Sequence, residues 1–189
     1  MIREVPFETH SALLEQFRAS CFGQECEFYT DEFDHCSHHY VVSLDPARDS
    51  IDGIFTLRKE GEAPFVVDRQ PVPPHLPRDG HGVEIDFLCL KSMRASCEFV
   101  EFFSSLFLAQ DVSYVVGFAT DRELRLYRKM NFEICGEAFV PPGCRSPHHP
   151  ILLTLDGVLE LSESGKGFSK PMERARRRSQ GGASGGSGP

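Results

Sequence analysis

Two acidic residues in the stretch VEIDFLCL, residues 83–90, have the spacing of groups that could move a proton. The stretch is typical of a β-strand, and in a strand Glu84 and Asp86 would lie on one face because side chains alternate with a period of two. A carboxylate that is partly desolvated there would have a raised pKa and could act as a general base toward an amine. The alternative is that both carboxylates lie in solvent at the end of the strand, and the spacing alone leaves both open. In this alternation one face would hold Glu84, Asp86, Leu88 and Leu90, and the other Ile85, Phe87 and Cys89.

The stretch DEFDHCSHHYVV, residues 31–42, places two aspartates directly before a group of histidines and a cysteine. These histidines and the cysteine could bind zinc, but they are crowded into residues 35–39, whereas a closed tetrahedral site usually takes its ligands from two separated pairs. The most obvious second pair, residues 148–149, is far away in the sequence. We therefore predict no metal here. We expect Asp31 and Asp34 to hold a cationic amine or an arginine, since a carboxylate only accepts hydrogen bonds.

Two stretches near predicted helices could contact a cofactor. Tyr127 in LYRKMNF lies at the end of a helix, where its ring could pack in the core or its hydroxyl could face a cofactor, and on the sequence alone core packing is the better interpretation. The stretch KSMRAS, residues 91–96, joins a predicted strand to a predicted helix, and the N–H groups at a helix start favour an anion. It carries Lys91 and Arg94 but no glycine, so it is a weak signal for a phosphate-binding loop.

The elements that would position these residues follow from hydrophobic periodicity. Apolar residues recur at helical spacing in SALLEQFRASCF and ASCEFVEFFSSLFLAQ, and a third helix in TDRELRLYRKM has Thr120 and Glu123 at capping-box spacing. The runs HYVVSL, IDGIFTLR, VEIDFLCL, SYVVGFA, FEICGEAFV and PILLTL predict six strands. The proline-rich residues 68–82 predict a long loop. The order predicts an α/β (α+β) domain with one mixed central sheet flanked by helices, spanning residues 1–162.

Composition and charge narrow the class of protein. The 189 residues are 40% hydrophobic and 25% charged, as in an ordinary globular domain, and no apolar run is long enough to span a membrane. The basic stretch from Lys166 to Arg178 and the Gly/Ser-rich end predict a flexible tail over residues 163–189. The remainder is more acidic than the total net charge of -8, which argues against nucleic-acid binding. Seven cysteines without a CxxC pair, and an N-terminus without an export signal, predict reduced thiols and a cytoplasmic protein.

In this order the stretches resemble the GNAT acyltransferase superfamily, and within it the branch of acyl-homoserine-lactone synthases and long-chain N-acyl amino acid synthases. FRASCF resembles the Arg-x-x-x-Phe of that branch's first helix, and DEFDHCSHH resembles its Asp-x-x-Asp followed by a small residue and a histidine. GIFTLR resembles its strand that ends in a functional arginine, VEIDFLCL its central strand that begins with a glutamate, and DRELRLYRKMNFEICGE its tyrosine segment. The matched residues are Arg18, Phe22, Phe28, Asp31, Asp34, Ser37, His39, Arg58, Glu84 and Tyr127.

The resemblance implies an N-acyltransferase that moves an acyl group from a thioester to a small-molecule amine such as an amino acid. Glu84 would remove the amine proton and Tyr127 would protonate the departing thiolate. The donor would be an acyl-CoA, or an acyl-phosphopantetheine on an acyl carrier protein as partner, without a metal. The acceptor pocket would comprise Arg18, Phe22, Phe28, Asp31, Asp34 and Arg58, and the donor would bind at Leu88, Cys89, Leu90, Arg94, Ala95 and Ser96.

Two departures from the branch leave alternatives open. Phe87 stands where the branch usually has an arginine, and KSMRASC lacks the glycines of a coenzyme A pyrophosphate loop, which fits a carrier-protein donor better. The alternatives are a coenzyme A-dependent N-acetyltransferase of a small amine or peptide, and a non-catalytic GNAT-like module that binds an acyl chain or a partner. A long acyl chain would need a tunnel, whereas a short donor would leave the apolar helix as core only. The candidate tunnel residues are Phe99, Phe102, Phe103, Leu106 and Phe107.

Overall fold

Seven strands and five α-helices make up the described part of the chain. The structure is a computed structural model, and it describes residues 1–22, 34–43, 51–70, 72–141, 144–164 and 169–181. The strands are β1 (Ile2–Val5), β2 (His38–Val42), β3 (Gly53–Lys59), β4 (Gly82–Leu90), β5 (Tyr114–Ala119), β6 (Glu133–Ile134) and β7 (His149–Thr154). The helices are α1 (Phe7–Phe22), α2 (Met93–Leu108), α3 (Asp121–Arg128), α4 (Leu155–Glu163) and α5 (Ser169–Gly181).

All seven strands join one mixed sheet. Its order is β1-β2-β3-β4-β5-β7-β6, and β4 and β5 run parallel whereas the other neighbours are antiparallel. The parallel pair requires a crossover, and α2 supplies it. This architecture confirms the predicted mixed sheet flanked by helices.

The central strand β4 separates from β5 halfway along its length. Their pairing runs from Gly82 opposite Tyr114 to Ile85 opposite Gly117, and β4 then continues to Leu90 without β5 as a neighbour. The strand also has a β-bulge at this point, because Thr56 of β3 lies opposite Phe87 and Leu57 opposite Ile85. One β4 residue, Asp86, is therefore extra, which bends the strand away from its neighbour. The result is an open gap between β4 and β5.

The bulge also corrects the predicted alternation of side chains along β4. Ile85 packs in the same hydrophobic cluster as Leu88 and Leu90, whereas Phe87 and Cys89 pack in the cluster around α1. The prediction that Ile85, Phe87 and Cys89 share a face is therefore wrong. The physical reason is that an extra residue in one strand reverses the facing of every residue that follows it.

One side of the sheet, which we call the α2 face, is covered by α2 and α4 and is apolar. The buried residues of α2 recur at helical spacing, including Phe99, Phe103 and Phe107. Phe55 of β3 is 0% exposed; its ring centroid lies 4.8 Å from that of Tyr40 and 5.1 Å from that of Phe99. These rings form the centre of the main hydrophobic core.

The other side, which we call the α1 face, is covered in two parts. Helix α1 packs Leu14 and Phe17 against β2 and β3, and the segments 63–70 and 72–76 pack their own apolar residues against β5. Between these two covers lie buried polar side chains: His39, Thr56, Arg58 and Glu84. The α1 face therefore carries the polar groups of the sheet.

Four elements differ from the sequence prediction. Strand β1 and helix α4 were not predicted, and the strand predicted in FEICGEAFV is reduced to β6. Residues 169–181, predicted as part of a flexible tail, form α5. This helix packs on α2, with Ala175 1% exposed and Arg174 Nε donating to Glu101 Oε2 at 2.7 Å. The domain boundary at residue 162 stays a prediction.

The cysteines also differ from the prediction of reduced thiols. Cys21 of α1 and Cys89 of β4 form a disulfide, with their Cα atoms 6.3 Å apart, because α1 packs directly over this part of β4. Cys36, Cys97 and Cys135 are free. The cytoplasmic location was inferred from reduced thiols and stays a prediction. None of the helices within the described ranges is long and apolar enough to cross a membrane.

Candidate active site

Glu84 lies at the paired end of β4 with its carboxyl group enclosed. Its side chain is 0% exposed, and its two oxygens accept hydrogen bonds from consecutive backbone N–H groups, Val66 N to Oε2 at 2.6 Å and Val67 N to Oε1 at 2.9 Å. These N–H groups open a short 3-10 helix, Val66–Arg69, and the first N–H groups of a helix have no partner within it. Glu84 thus caps this turn and fixes it on the sheet.

The enclosure of Glu84 changes its acidity. Burial, and next the negative charge of Asp86, raise the pKa of Glu84 to about 8, while the N–H groups of Val67 and Val66 and the cation of Arg58 act in the opposite direction. The burial effect is the largest because a charged carboxylate loses its hydration inside the protein. The carboxyl group therefore keeps its proton over most of the neutral pH range.

Arg58 lies beside Glu84 and binds the other carboxylate of β4. It is the cross-strand neighbour of Glu84, and its side chain is buried. Its Nη2 donates a hydrogen bond to Asp86 Oδ2 at 3.0 Å. The structure therefore brings together Arg58 and Glu84, which the family resemblance matched, and it adds Asp86, which the resemblance did not match. The spacing of the two carboxylates was the only signal for Asp86.

Polar contacts continue along the α1 face from β3 to the start of β2. The two ring nitrogens of His39 lie 3.1 Å from Thr56 Oγ1 and 3.0 Å from the backbone oxygen of Asp34. The His39 ring also stacks on Phe7, with 5.1 Å between ring centroids. Asp34, one of the predicted acceptor residues, is buried in a short 3-10 helix, and Ser37 directly follows this helix. The matched aspartate and histidine are therefore joined to each other.

Tyr127 lies on the opposite side of the sheet, in helix α3. Its side chain is 9% exposed and its ring packs edge-on against Phe132 with 5.3 Å between centroids, within the core of the α2 face. Burial, and next the charge of Glu123, raise the pKa of Tyr127 above its usual value. The phenol therefore keeps its proton at neutral pH, which a proton donor requires. Core packing and a role as an acid are both compatible with this position.

The predicted donor-binding residues lie beside the gap and at the start of α2. Leu88 and Leu90 belong to the half of β4 that pairs with β3 but not with β5, and they pack toward the α2 face. Cys89 is bound to Cys21. The first turn of α2 is capped by Ser92, whose hydroxyl accepts from Ala95 N at 3.1 Å and whose backbone oxygen accepts from Ser96 Oγ at 3.2 Å. Arg94 is exposed.

Four predicted acceptor residues lie wholly or partly outside the described residues. Phe28 and Asp31 fall in residues that the structure does not describe. Arg18 and Phe22 belong to α1, but their side chains are not described. Their roles stay predictions. Among the described residues, no three His, Cys, Asp or Glu side chains are grouped to hold a metal ion.

A small apolar cavity lies in the core of the α2 face. Its volume is about 30 Å³, and three of the five predicted tunnel residues of α2 line it: Phe99, Phe103 and Phe107. Phe102 and Leu106 instead pack at the edge of the core. The remaining walls come from β4, β7, α4 and the segment that follows α3. The cavity is large enough for a few solvent-sized groups and too small for a long acyl chain.

Comparison with solved structures identifies the fold. The N-acyl amino acid synthase FeeM from uncultured soil microbes is 10% identical, with a TM-score of 0.62 over 82% of this chain and 95% of that one. TofI is 13% identical, with a TM-score of 0.59 over 85% and 94%. An aminoglycoside acetyltransferase in complex with coenzyme A and kanamycin is 14% identical, with a TM-score of 0.53 over 85% and 97%. No protein-family model matches the chain, and no curated protein matches it in sequence. The chain has the GNAT fold that its sequence motifs predict.

Proposed function

We propose that the chain is an N-acyltransferase that moves an acyl group from a thioester to an amine. The observation that carries the proposal is the gap between β4 and β5, with Arg58, Glu84 and Asp86 on one side of the sheet and Tyr127 on the other. Acyl transfer to an amine needs a proton acceptor and a proton donor, and these side chains supply carboxyl groups and a phenol on the two sides of the sheet. The likeness in fold to an N-acyl amino acid synthase and an acetyltransferase supports the same reaction class.

The gap offers backbone groups of β4 to the donor. In the described part of the chain, the pairing of β4 with β5 ends at Ile85, so backbone N–H and C=O groups further along β4 can bind the amides of a phosphopantetheine arm. An N–H group there can also stabilise the negative oxygen that forms when an amine attacks the thioester carbonyl. Tyr127 would then give its proton to the departing sulfur, since its raised pKa keeps it protonated until that step.

The acceptor would approach from the α1 face. The buried row of His39, Thr56 and Arg58 leads from the 3-10 helix at Asp34 to the carboxylates of β4. Such a row supplies hydrogen bonds to a polar amine. An amino acid acceptor is favoured by the likeness to FeeM, an N-acyl amino acid synthase.

The charge of α3 favours a protein-bound donor. The exposed face of this helix carries four cations and one acid, Asp121, next to the open end of the gap, since α3 directly follows β5. A cationic surface attracts an acidic partner such as an acyl carrier protein. The start of α2, which lacks glycines and is capped by Ser92, offers less to the pyrophosphate of coenzyme A. The four cations are Arg122, Arg125, Arg128 and Lys129.

One observation favours a second candidate, a coenzyme A-dependent N-acetyltransferase. The cavity of about 30 Å³ between α2 and the sheet would accept a short acyl group, but a long chain would require its phenylalanines to move. The likeness to an acetyltransferase in complex with coenzyme A agrees with a short donor. The lengths of acyl chain that the protein transfers would decide between the two.

The test is mass spectrometry of reaction products. The protein is incubated with acyl-CoAs of about two to sixteen carbons, the matching acyl carrier protein thioesters and a pool of amines. The N-acylated products are then identified. The control is the double variant E84Q/D86N, which keeps the side-chain shapes and removes both carboxyl groups of β4. We expect product from the wild type and none from the double variant. A folded wild type that gives no product with any donor would contradict the proposal and favour a non-catalytic acyl- or partner-binding module.

A further inference from the structure

The two carboxyl groups of β4 lie in different surroundings although they are two residues apart. Both oxygens of Glu84 are occupied by backbone N–H groups, and its side chain is fully buried. The side chain of Asp86 is 18% exposed, and only its Oδ2 is engaged, by Arg58. Across the described residues, no group hydrogen-bonds Asp86 Oδ1. One carboxyl group is therefore closed off, and the other has an oxygen to offer.

The positions of the two residues along β4 also leave Glu84 enclosed and Asp86 accessible. Glu84 lies opposite Val116 within the paired part of β4 and β5, and the 3-10 helix Val66–Arg69 covers it. Asp86 is the bulged residue and the first one beyond the last pair, Ile85 opposite Gly117. Asp86 therefore borders the gap in which a thioester would lie, whereas Glu84 lies behind it.

The protonation state of Glu84 agrees with different roles for the two carboxyl groups. Burial and the negative charge of Asp86 raise the pKa of Glu84 to about 8, so at neutral pH its carboxyl group already holds a proton. A protonated carboxylic acid cannot take a second proton from an amine. The ion pair with Arg58 holds the Asp86 carboxylate at the edge of the gap.

We propose that Asp86, not Glu84, accepts the proton of the acceptor amine, and that Glu84 is a positioning residue that anchors the 3-10 helix Val66–Arg69. This inference rests on the proposed acyl transfer. In the step, the amine nitrogen forms a bond to the thioester carbonyl carbon and the carbon–sulfur bond breaks. The proton that the nitrogen loses goes to Asp86 Oδ1, and the sulfur takes a proton from Tyr127. The products are an amide and a thiol, and solvent returns the proton from Asp86 to Tyr127.

The first test compares isosteric single variants by initial rates of amide formation. D86N should lower kcat at least 100-fold with little change in KM for the donor, because asparagine can still accept from Arg58 but cannot take a proton. D86E should recover part of the lost kcat. E84Q should lower kcat less than D86N does. At about pH 5, before ionisation of Glu84 weakens the wild type, E84Q should also lower the melting temperature more than D86N, since an anchor affects stability first.

The second test uses chemical rescue, which a purely structural role would not produce. Asp86→Ala removes the carboxylate and leaves space at the edge of the gap, so added formate should raise its kcat in a saturable way. Formate should not raise the kcat of E84Q. This measurement remains informative if one isosteric variant folds poorly, because the rescue is read within a single folded sample.

The outcomes separate this inference from the proposed function. Wild-type protein that forms no amide with any donor would overturn the proposed function and the inference together. An active wild type with D86N within about threefold of its kcat would overturn the inference alone, as would a folded E84Q that loses more kcat than D86N. A loss of kcat in D86N, together with formate rescue of Asp86→Ala, would support both the proposed function and this inference.

Discussion

The face of the sheet under α2 and α4 is closed by aromatic and aliphatic side chains, whereas the face under α1 holds buried ionisable groups and a disulfide. On the α2 face, Phe55 contacts three phenylalanines of α2 and the ring of Tyr40. On the α1 face, Arg58 and Glu84 are cross-strand neighbours and both are fully buried. The same strands therefore present opposite chemistry to their two covers.

The difference follows from what each cover can supply. A continuous amphipathic helix such as α2 brings only apolar side chains to the sheet, so polar residues facing it would lack partners. The α1 face is covered by a helix and by an irregular segment, and the segment offers the N–H groups that Glu84 accepts. Buried polar groups are tolerated only where such partners exist. We therefore expect the α2 face to carry most of the stability and the α1 face most of the chemistry.

The largest expected effect tests the stability of the α2 face. Phe55→Ala removes a fully buried ring and should lower the free energy of unfolding by about 4 kcal/mol, the usual cost of such a truncation. Phe87→Ala, on the α1 face and only partly buried, is the matched variant and should cost less. Urea denaturation at one pH measures both. Equal losses of unfolding free energy in the two variants would contradict the expectation that the α2 face carries most of the stability.

The next effect tests what holds α1 in place. Cys21 and Cys89 are separated by 68 residues. Removing a disulfide that closes a loop of this length should lower the free energy of unfolding by about 2 to 4 kcal/mol, because the unfolded chain gains entropy. Cys21→Ser should therefore unfold at lower urea concentration than the wild type without reductant. With excess dithiothreitol the two should converge. Cys97→Ser, at a free cysteine of α2, is the control and should keep the wild-type response to reductant.

The sequence predicted the regular elements around the core because their periodicity is local. The stretches that became α2, β4 and β5 are long and apolar, and the pair Thr120 and Glu123 correctly marked the start of α3. Helix α5 was missed because its own sequence is strongly polar. Its order depends on one buried alanine, Ala175, and on a contact to Glu101 that lies 73 residues away.

The site was less predictable because it depends on an irregularity and on distant contacts. Glu84, Arg58 and Tyr127 could be named from motifs, but a bulge leaves no mark in the sequence pattern, so the separate surroundings of Asp86 were not visible. The N–H groups of Val66 and Val67 come from a short 3-10 helix that was not predicted. The Cys21–Cys89 pair likewise requires knowing that α1 packs over β4.

A third prediction concerns the pH dependence of the α1 face. The folded pKa of Glu84, about 8, lies above its ordinary value of 4.5, so its contribution to stability is complete below pH 4.5 and is lost as the pH rises through 8. Glutamine does not titrate, so the stability of E84Q relative to the wild type should rise by about 1.4 kcal/mol per pH unit between pH 5 and 8. Urea unfolding at several pH values measures this difference.

The Asp86 charge provides a control for that titration. Because Asp86 is the second cause of the raised pKa of Glu84, D86N should lower the folded pKa, so that the loss of stability ends at a lower pH and is smaller in total. The stability profiles of the wild type and E84Q would run parallel if Glu84 were ionised throughout, and this would contradict both its protonated state and the division of roles on β4.

The smallest expected effect concerns helix α3, which packs in the core of the α2 face and carries Tyr127. Glu123 Oε2 accepts from Thr120 N at 2.9 Å and from Thr120 Oγ1 at 2.8 Å, and these bonds hold the first turn of the helix. Glu123→Ala should lower the free energy of unfolding by about 1 kcal/mol, the usual cost of a lost cap. Glu160→Ala, at an exposed position of α4, should change it by less than about 0.5 kcal/mol. If α3 positions Tyr127 for proton transfer, Glu123→Ala should also lower kcat by a few-fold while Glu160→Ala leaves it unchanged. A loss of stability without any change in kcat would mean that the start of α3 serves the α2 core alone.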